Sequence, residues 1–485
     1  MPAQPPAPAA PPPKVGAKPD EKSSVVRVNV TNQPWDFLRP WGKRPPFSRR
    51  AIGAVLPGER VLVTAEFVAN ASYLEFEAPA GGSKVPAKVE IVDYEANLAL
   101  LRAEDDAWLK PYQALELTSA TVGDNLSIWQ LENTGTLLVT NGPMTSVEVA
   151  RYSVEESALL VYRLTASLQF RDSSFALPVV KDGKLVGIVM RYDNNSKNTE
   201  LVPAPVIEHF LKDAEQPPYD GFPRAGMTFA NTRDPQFRRY IGLDAQTPGG
   251  VYVTEVQKDG AADKAGVQKG DIIVSIAGEA IDQDGNYLDP VYGKIVLSHL
   301  LSTRHFANDT VTVTLFRKGQ KKNLPLTITR RPPEDYVIEP YVFDRPPKFF
   351  LLGGLVFQEL SRQYLKEFGA EWLKRAPGEL VYLDRYQSEL FPEGKRKIVI
   401  LSRVLPSEVT VGYEQLRSLV VTEINDVPLQ RLADIPSALE KVRDGVHKIE
   451  FESEPTLLFI DAEDAAAVGP MLKASYRLPA LFRLD

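Results

Sequence analysis

The chain has 485 residues, 44% hydrophobic and 25% charged, which is ordinary globular material for about three domains. A net charge of −7 argues against nucleic acid or an anionic membrane as a partner held by a broad basic face. With no cysteine, a disulfide scaffold, a thiol nucleophile and cysteine-ligated metal are excluded, and the four histidines (His209, His299, His305, His447) show no metal-ligand spacing.

Residues 1–24 open with eight prolines among the first 20 residues, a composition that favours polyproline II and cannot bury enough side chain to fold. There is no basic start followed by an apolar stretch, so the segment is not itself a signal peptide. It has the character of the tether that follows a removed one, which predicts a periplasmic or otherwise secreted protein; a native cytoplasmic tail is the alternative. No apolar run reaches the roughly 18 residues of a membrane helix. The best, Phe349 to Phe357 (FFLLGGLVF), reads as a single buried strand.

Residues 25–215 read as one β-rich domain. Alternating segments at Val25–Val30, Gly58–Val68, Lys84–Tyr94, Ser157–Ser167 and Lys184–Met190 are separated by turn signals, the spacing of an antiparallel barrel or sandwich. A helix is predicted from about Pro203 to Ala214, with proline near its start and Val206, Ile207, Phe210 and Leu211 at helical spacing. QPPYDGFP (Gln216–Pro223) reads as a linker, and the proline-rich stretch Arg330–Lys348 as a second hinge.

The two segments that remain, 224–331 and 346–485, read as copies of one unit. Thr254-Glu255-Val256 matches Ser402-Arg403-Val404, and Asp271–Ile281 matches Leu419–Leu429, both at an offset of 148 residues. A constant offset across strand, turn and strand is the mark of duplication. Each copy is expected to continue into an amphipathic helix, Lys294–Thr303 or Ile435–Val442.

The run GAADKAGVQKGDIIVSIAGEAI resembles the central signature of PDZ domains, in which small residues around Ala265 and Gly266 let a short helix pack on the sheet. That resemblance implies capture of an extended peptide as an added strand, its carboxylate held by backbone amides. The residues placed there are Ala225, Gly226, Met227 and Thr228 in the first copy, and Gly353, Gly354, Leu355 and Val356 in the second. Peptide tails or unfolded proteins are the implied partners; the alternative is that these loops merely begin a strand. The second copy carries an extra aromatic and charged insert between Gly354 and Val399, expected to act as a lid or interdomain clasp. His299 falls on the groove helix, as a peptide contact or as an ordinary amphipathic-helix residue.

A β-rich domain, a helix and two PDZ-like units together resemble the Deg/HtrA family of trypsin-like serine proteases. FFLLGGLVFQELSRQYLKEFGAEWL and VVTEINDVPL are similar to its plant branch. The fold implied is mainly β, a double antiparallel barrel followed by two PDZ domains, with oligomerisation or membership of a larger complex. Carried over residue by residue, the family's triad falls on Glu66, Asn97 and Ser173, and its oxyanion loop on Arg171 and Asp172. No histidine precedes residue 209. A carboxylate with its usual pKa near 4.3 is a poor base for a hydroxyl, and loss of a triad's base costs roughly 8 kcal/mol of barrier. The expectation is therefore of no competent catalytic residue: a pseudoprotease scaffold, not an enzyme, that binds polypeptide through its PDZ units. The alternative is an active serine endopeptidase of protein quality control. No P-loop or dinucleotide glycine motif is present, so neither cofactor nor metal is expected.

Overall fold

The computed structural model describes residues 24–132, 134–168, 176–243, 249–392 and 396–485. The proline-rich start, up to residue 23, and Arg171, Asp172 and Ser173 lie outside them.

Two closed six-stranded antiparallel barrels come first. One is built from β1 (Val25–Asn32), β2 (Phe47–Leu56), β3 (Arg60–Val63), β4 (Ala71–Glu77), β5 (Lys84–Asp93) and β6 (Leu98–Ala103). Its order is β1-β2-β3-β6-β5-β4. Closure follows from the pattern: β6 lies between β3 and β5 and is almost wholly buried, so a run reading LALLRA suits no edge. The text Gly58–Val68, expected to be one strand, divides. After β3 the chain turns into the short helix α1 (Ala65–Val68), which buries Ala65, Phe67 and Val68 and leaves Glu66 on its rim.

The second barrel contains β7 (Asn125–Leu131), β8 (Leu137–Arg151), β9 (Ala158–Thr165), β10 (Pro178–Lys181), β11 (Lys184–Asp193) and β12 (Asn198–Pro203), in the order β10-β11-β12-β9-β8-β7. The predicted helix follows as α2 (Ala204–Ala214), with Val206, Ile207 and Phe210 buried in the core of that barrel.

The first repeated unit holds β13 (Met227–Ala230), α3 (Pro235–Tyr240), β14 (Val251–Val256), α4 (Ala261–Lys264), β15 (Ile272–Ile276), β16 (Glu279–Ala280), β17 (Asn286–Asp289), β18 (Gly293–Val296), α5 (Leu297–Ser302), β19 (Thr310–Arg317) and β20 (Gln320–Thr327). Its sheet runs β13-β14-β15-β19-β20, leaving β13 at an edge. Lys294–Thr303 is not one helix: the segment to Val296 pairs with β17, and only Leu297–Ser302 is helical. Ile295 and Leu297 both bury on that course.

The second unit repeats the plan. It contains β21 (Phe349–Leu352), β22 (Leu355–Glu359), the insert helices α6 (Arg362–Lys366), α7 (Trp372–Arg375), α8 (Gly378–Arg385) and α9 (Gln387–Leu390), then β23 (Val399–Val404), β24 (Leu419–Ile424) and β25 (Val427–Pro428). Next come α10 (Ile435–Leu439), β26 (Val446–Phe451), β27 (Leu457–Asp461), α11 (Ala462–Ala467), α12 (Gly469–Tyr476) and β28 (Phe482–Arg483). The 148-residue offset carries β14 onto β23 and β16 onto β25 end for end. FFLLGGLVF is two strands, not one. Gly353 and Gly354, both at positive φ, turn β21 back onto β22.

The units dock on each other. Arg224 Nη2 reaches Glu95 of the first barrel at 2.7 Å, and the hydroxyls of Tyr162 and Tyr292 meet at 2.5 Å. The aromatic loop Trp35–Phe47 covers a core within this chain. Phe37 packs among Leu360, Leu365 and Trp372, and its carbonyl accepts from Gln358 Nε2 at 3.0 Å. The insert clasps the second barrel through Arg362–Glu156 at 2.5 Å and Arg385–Glu155 at 2.9 Å.

Candidate functional site

Glu66 and Asn97 come together at the first barrel's rim. Asp93 accepts from the amides of Glu95 and Ala96 at 2.7 and 2.9 Å, winding a tight turn that puts Asn97 at φ +53°. Asn97 Oδ1 then accepts from the Glu66 amide at 3.0 Å. Arg49 Nη2 donates to the carbonyls of Glu66 and Phe67 at 2.7 and 2.8 Å, fixing the short helix from below. The third member is Ser153, on the β8–β9 turn, which sequence reading missed. Its hydroxyl donates to Glu66 Oε2 at 3.1 Å and lies 3.4 Å from Asn97 Nδ2. Only the closure of the second barrel brings it near, so no local motif could have marked it. Burial pushes the Glu66 carboxyl above the ordinary carboxylate range, against the opposing pull of Ser153, Arg49 and Arg191.

The nearest histidine in sequence, His209, is a core residue. It stacks between Phe222 and Phe306 with ring centroids at 4.4 and 4.2 Å, and its Nδ1 lies 3.1 Å from the Thr303 carbonyl. Burial lowers its pKa to about 4 from 6.5. A histidine depressed in this way favours the folded state above the unfolded pKa, and that advantage is lost as pH falls towards 4. Unfolding free energy should therefore drop by about 1.4 kcal/mol per pH unit between pH 6 and 4 on account of this ring. Urea titrations of wild type and His209→Phe across that window should show the shallower slope in the variant. His299 is likewise buried, its Nδ1 2.6 Å from the Tyr287 hydroxyl. It turns into the core, and the helix faces the groove with Leu297, Ser298 and Leu301 instead.

In the first unit Ala225, Gly226, Met227 and Thr228 lead into β13, whose outer edge opens on a cavity of about 1340 Å³. Gly226 sits at φ +71°, and among the described residues its amide has no hydrogen-bond acceptor. A strand edge beside a groove helix is the arrangement for peptide addition.

In the second unit the corresponding expectation fails. Gly353, Gly354, Leu355 and Val356 are all buried, and the edge of β22 is taken by β21 through the pairs Leu351–Val356 and Leu352–Leu355. The chain supplies its own added strand, because a two-residue Gly-Gly turn is too short to leave a groove open. For a metal, the described residues offer one carboxylate trio, Glu423, Asp426 and Glu450. Lys448 already bridges Asp426 and Glu450 with its ammonium group, so the cluster is neutralised by the chain itself.

Two barrels followed by two such sheets define the class, a trypsin-like fold carrying PDZ units. Family models described as PDZ domain match residues 223–328 and 338–481. Protease Do-like 2, chloroplastic, of Arabidopsis thaliana is 24% identical over 94% of this chain and 74% of its own length. Protease Do-like 4, mitochondrial, of the same plant is 22% identical over 96% of this chain and 85% of its own. A solved structure described as "HtrA-type protease AlgW with decapeptide" is 17% identical, covering 64% of this chain and 96% of that one, with a TM-score of 0.48. The two PDZ matches and these Do-like relatives support the Deg/HtrA family. The expectation that it is not an enzyme is overturned by these relatives, which align along nearly its whole length and are named proteases. Among the described residues no helix is long and apolar enough to cross a membrane.

Proposed function

We propose that this chain is a serine endopeptidase of the Deg/HtrA type, serving protein quality control, which captures extended polypeptide along β13 of its first PDZ unit. The observation that carries the reading is the open edge of that strand above its cavity, beside a barrel pair of the protease fold. The second unit has its edge filled and serves to hold the insert against the barrel. Within this proposal the domains run 25–215, 224–331 and 346–485.

Glu66 is the proton acceptor assigned to the site, with Asn97 holding its backbone and Ser173 supplying the hydroxyl. A carboxyl raised by burial is a better base than a solvated one, yet weaker than imidazole, so slow turnover is expected, rising with pH through the raised pKa. Assembly into an oligomer or larger complex belongs to this proposal, as does a periplasmic or otherwise secreted setting.

A fluorescent-casein digest tests the reading. Wild type should release label above a buffer control, whereas Ser173→Ala should fall to that control and Glu66→Gln should lose at least tenfold. Wild type indistinguishable from Ser173→Ala would overturn the endopeptidase assignment.

A further inference from the structure

The cavity beside β13 has a second wall. Met227 and Leu301 of the first unit face Phe391, Arg396 and Lys397, which follow α9 in the insert of the second. Arg330, Arg331 and Arg396 line it, and the Nε of each is buried without a hydrogen-bond partner, that of Arg330 standing 3.9 Å from Glu95 Oε1. A buried donor left unmade costs free energy, so the two guanidinium groups of Arg331 and Arg396 in one cavity point to an acceptor that arrives with a ligand. Both groups are held flat by rings: Arg331 lies 3.7 Å above Tyr336 and Arg396 4.9 Å above Phe391. Stacking occupies a guanidinium's face and leaves its in-plane N–H donors for acceptors; Arg331 Nη2 gives one to the Asp335 carbonyl at 3.0 Å and keeps the others, the geometry that takes a carboxylate. Nine lysines and arginines line the cavity against seven carboxylates, and of the acids Glu156 and Glu334 are engaged elsewhere, by Arg362 at 2.5 Å and Arg345 at 3.2 Å.

We infer that the first PDZ groove and the insert of the second unit form one receptor for polypeptide tails ending in acidic residues, with Arg331 and Arg396 reading the acidic side chains. This rests on polypeptide capture at β13 and adds the class of tail captured. It also gives the insert a recognition role that its contacts with the barrel do not require.

The test uses the full chain and two fluorescein-labelled peptides of about ten residues, one ending in Asp/Glu and the other in the matching Asn/Gln. Fluorescence anisotropy should show the acidic peptide binding about tenfold tighter, a preference that shrinks with added salt. Arg396→Gln, which keeps a planar polar group, should bring the ratio near one without weakening the neutral peptide. Gly226→Trp should abolish binding of both. Equal affinities for the two peptides, or a preference that survives Arg396→Gln, would overturn the joint receptor while leaving capture at β13 in place. If neither peptide binds, or Gly226→Trp changes nothing, capture at β13 fails and the inference falls with it.

Discussion

Arg362→Ala is expected to destabilise the protein by about 3–5 kcal/mol, the usual result of stripping one partner from a buried ion pair. Arg362 Nε lies 3.2 Å from both oxygens of Asp384, its Nη2 3.0 Å from Oδ1, and its Nη1 2.5 Å from Glu156 of the second barrel. The Asp384 side chain is 0% exposed. Burial pushes its pKa up and Arg362 pulls it back, so without the guanidinium this carboxylate must either take a proton or remain buried and uncompensated. Guanidinium-chloride unfolding followed by Trp372, in the adjoining core, would measure the loss. The triple variant Arg362→Met, Asp384→Leu, Glu156→Gln should recover most of it, because an apolar group of similar volume commonly replaces a buried ion cluster at little cost once every partner charge is removed. A loss below about 1 kcal/mol for the single variant would mean the pair is effectively solvated.

Gly354→Ala should cost about 3 kcal/mol, for two reasons that add. Its φ of +117° is a conformation L side chains rarely adopt, and a Cβ there would meet the Leu405 carbonyl oxygen at 2.5 Å and Thr410 Cγ2 at 2.9 Å. Neither obstacle is the far end of a flexible chain. Gly353→Ala is the milder comparison: its φ of +59° is strained too, but the nearest atom, at 2.5 Å, is the side-chain end Cδ1 of the buried Ile460 and not backbone, so a smaller loss is expected. Equal unfolding midpoints for the two variants would contradict the steric account. Hydrogen exchange should open β21 and β22 first in Gly354→Ala, since this turn alone joins them.

The barrels, the repeat and the helix after β12 were legible because each rests on local periodicity or on a copy within the chain. What escaped depends on distant segments. Glu66 reads as a strand residue from its alternating neighbours, but the barrel needs a turn after Val63, and Phe67 and Val68 bury better from a helix. Ser153 carries no signal, since its role arises when two hairpins close side by side. The filled edge in the second unit was hidden because a nine-residue run of seven apolar residues and two glycines fits one buried strand as well as a hairpin. Ring partners decided the fate of His209 and His299, and the aromatic residues concerned lie elsewhere in the sequence.

The contact between Arg224 and Glu95 bears on how rigidly the two halves are set. Both side chains leave water to meet, and such a pair returns roughly what its dehydration takes away, so cohesion there must come from the buried rings beside it, Tyr336, whose hydroxyl accepts from Arg224 Nη1 at 3.2 Å, and Tyr341. What opposite charges add is direction, because a guanidinium and a carboxylate tolerate little sideways slip before their hydrogen bonds are lost. Arg224 immediately precedes the loop of Ala225 and Gly226, and Glu95 stands two residues before Asn97. The floor of the peptide groove and the turn beneath Glu66 are thereby pinned to a common reference point, and neither can shift far without dragging the other.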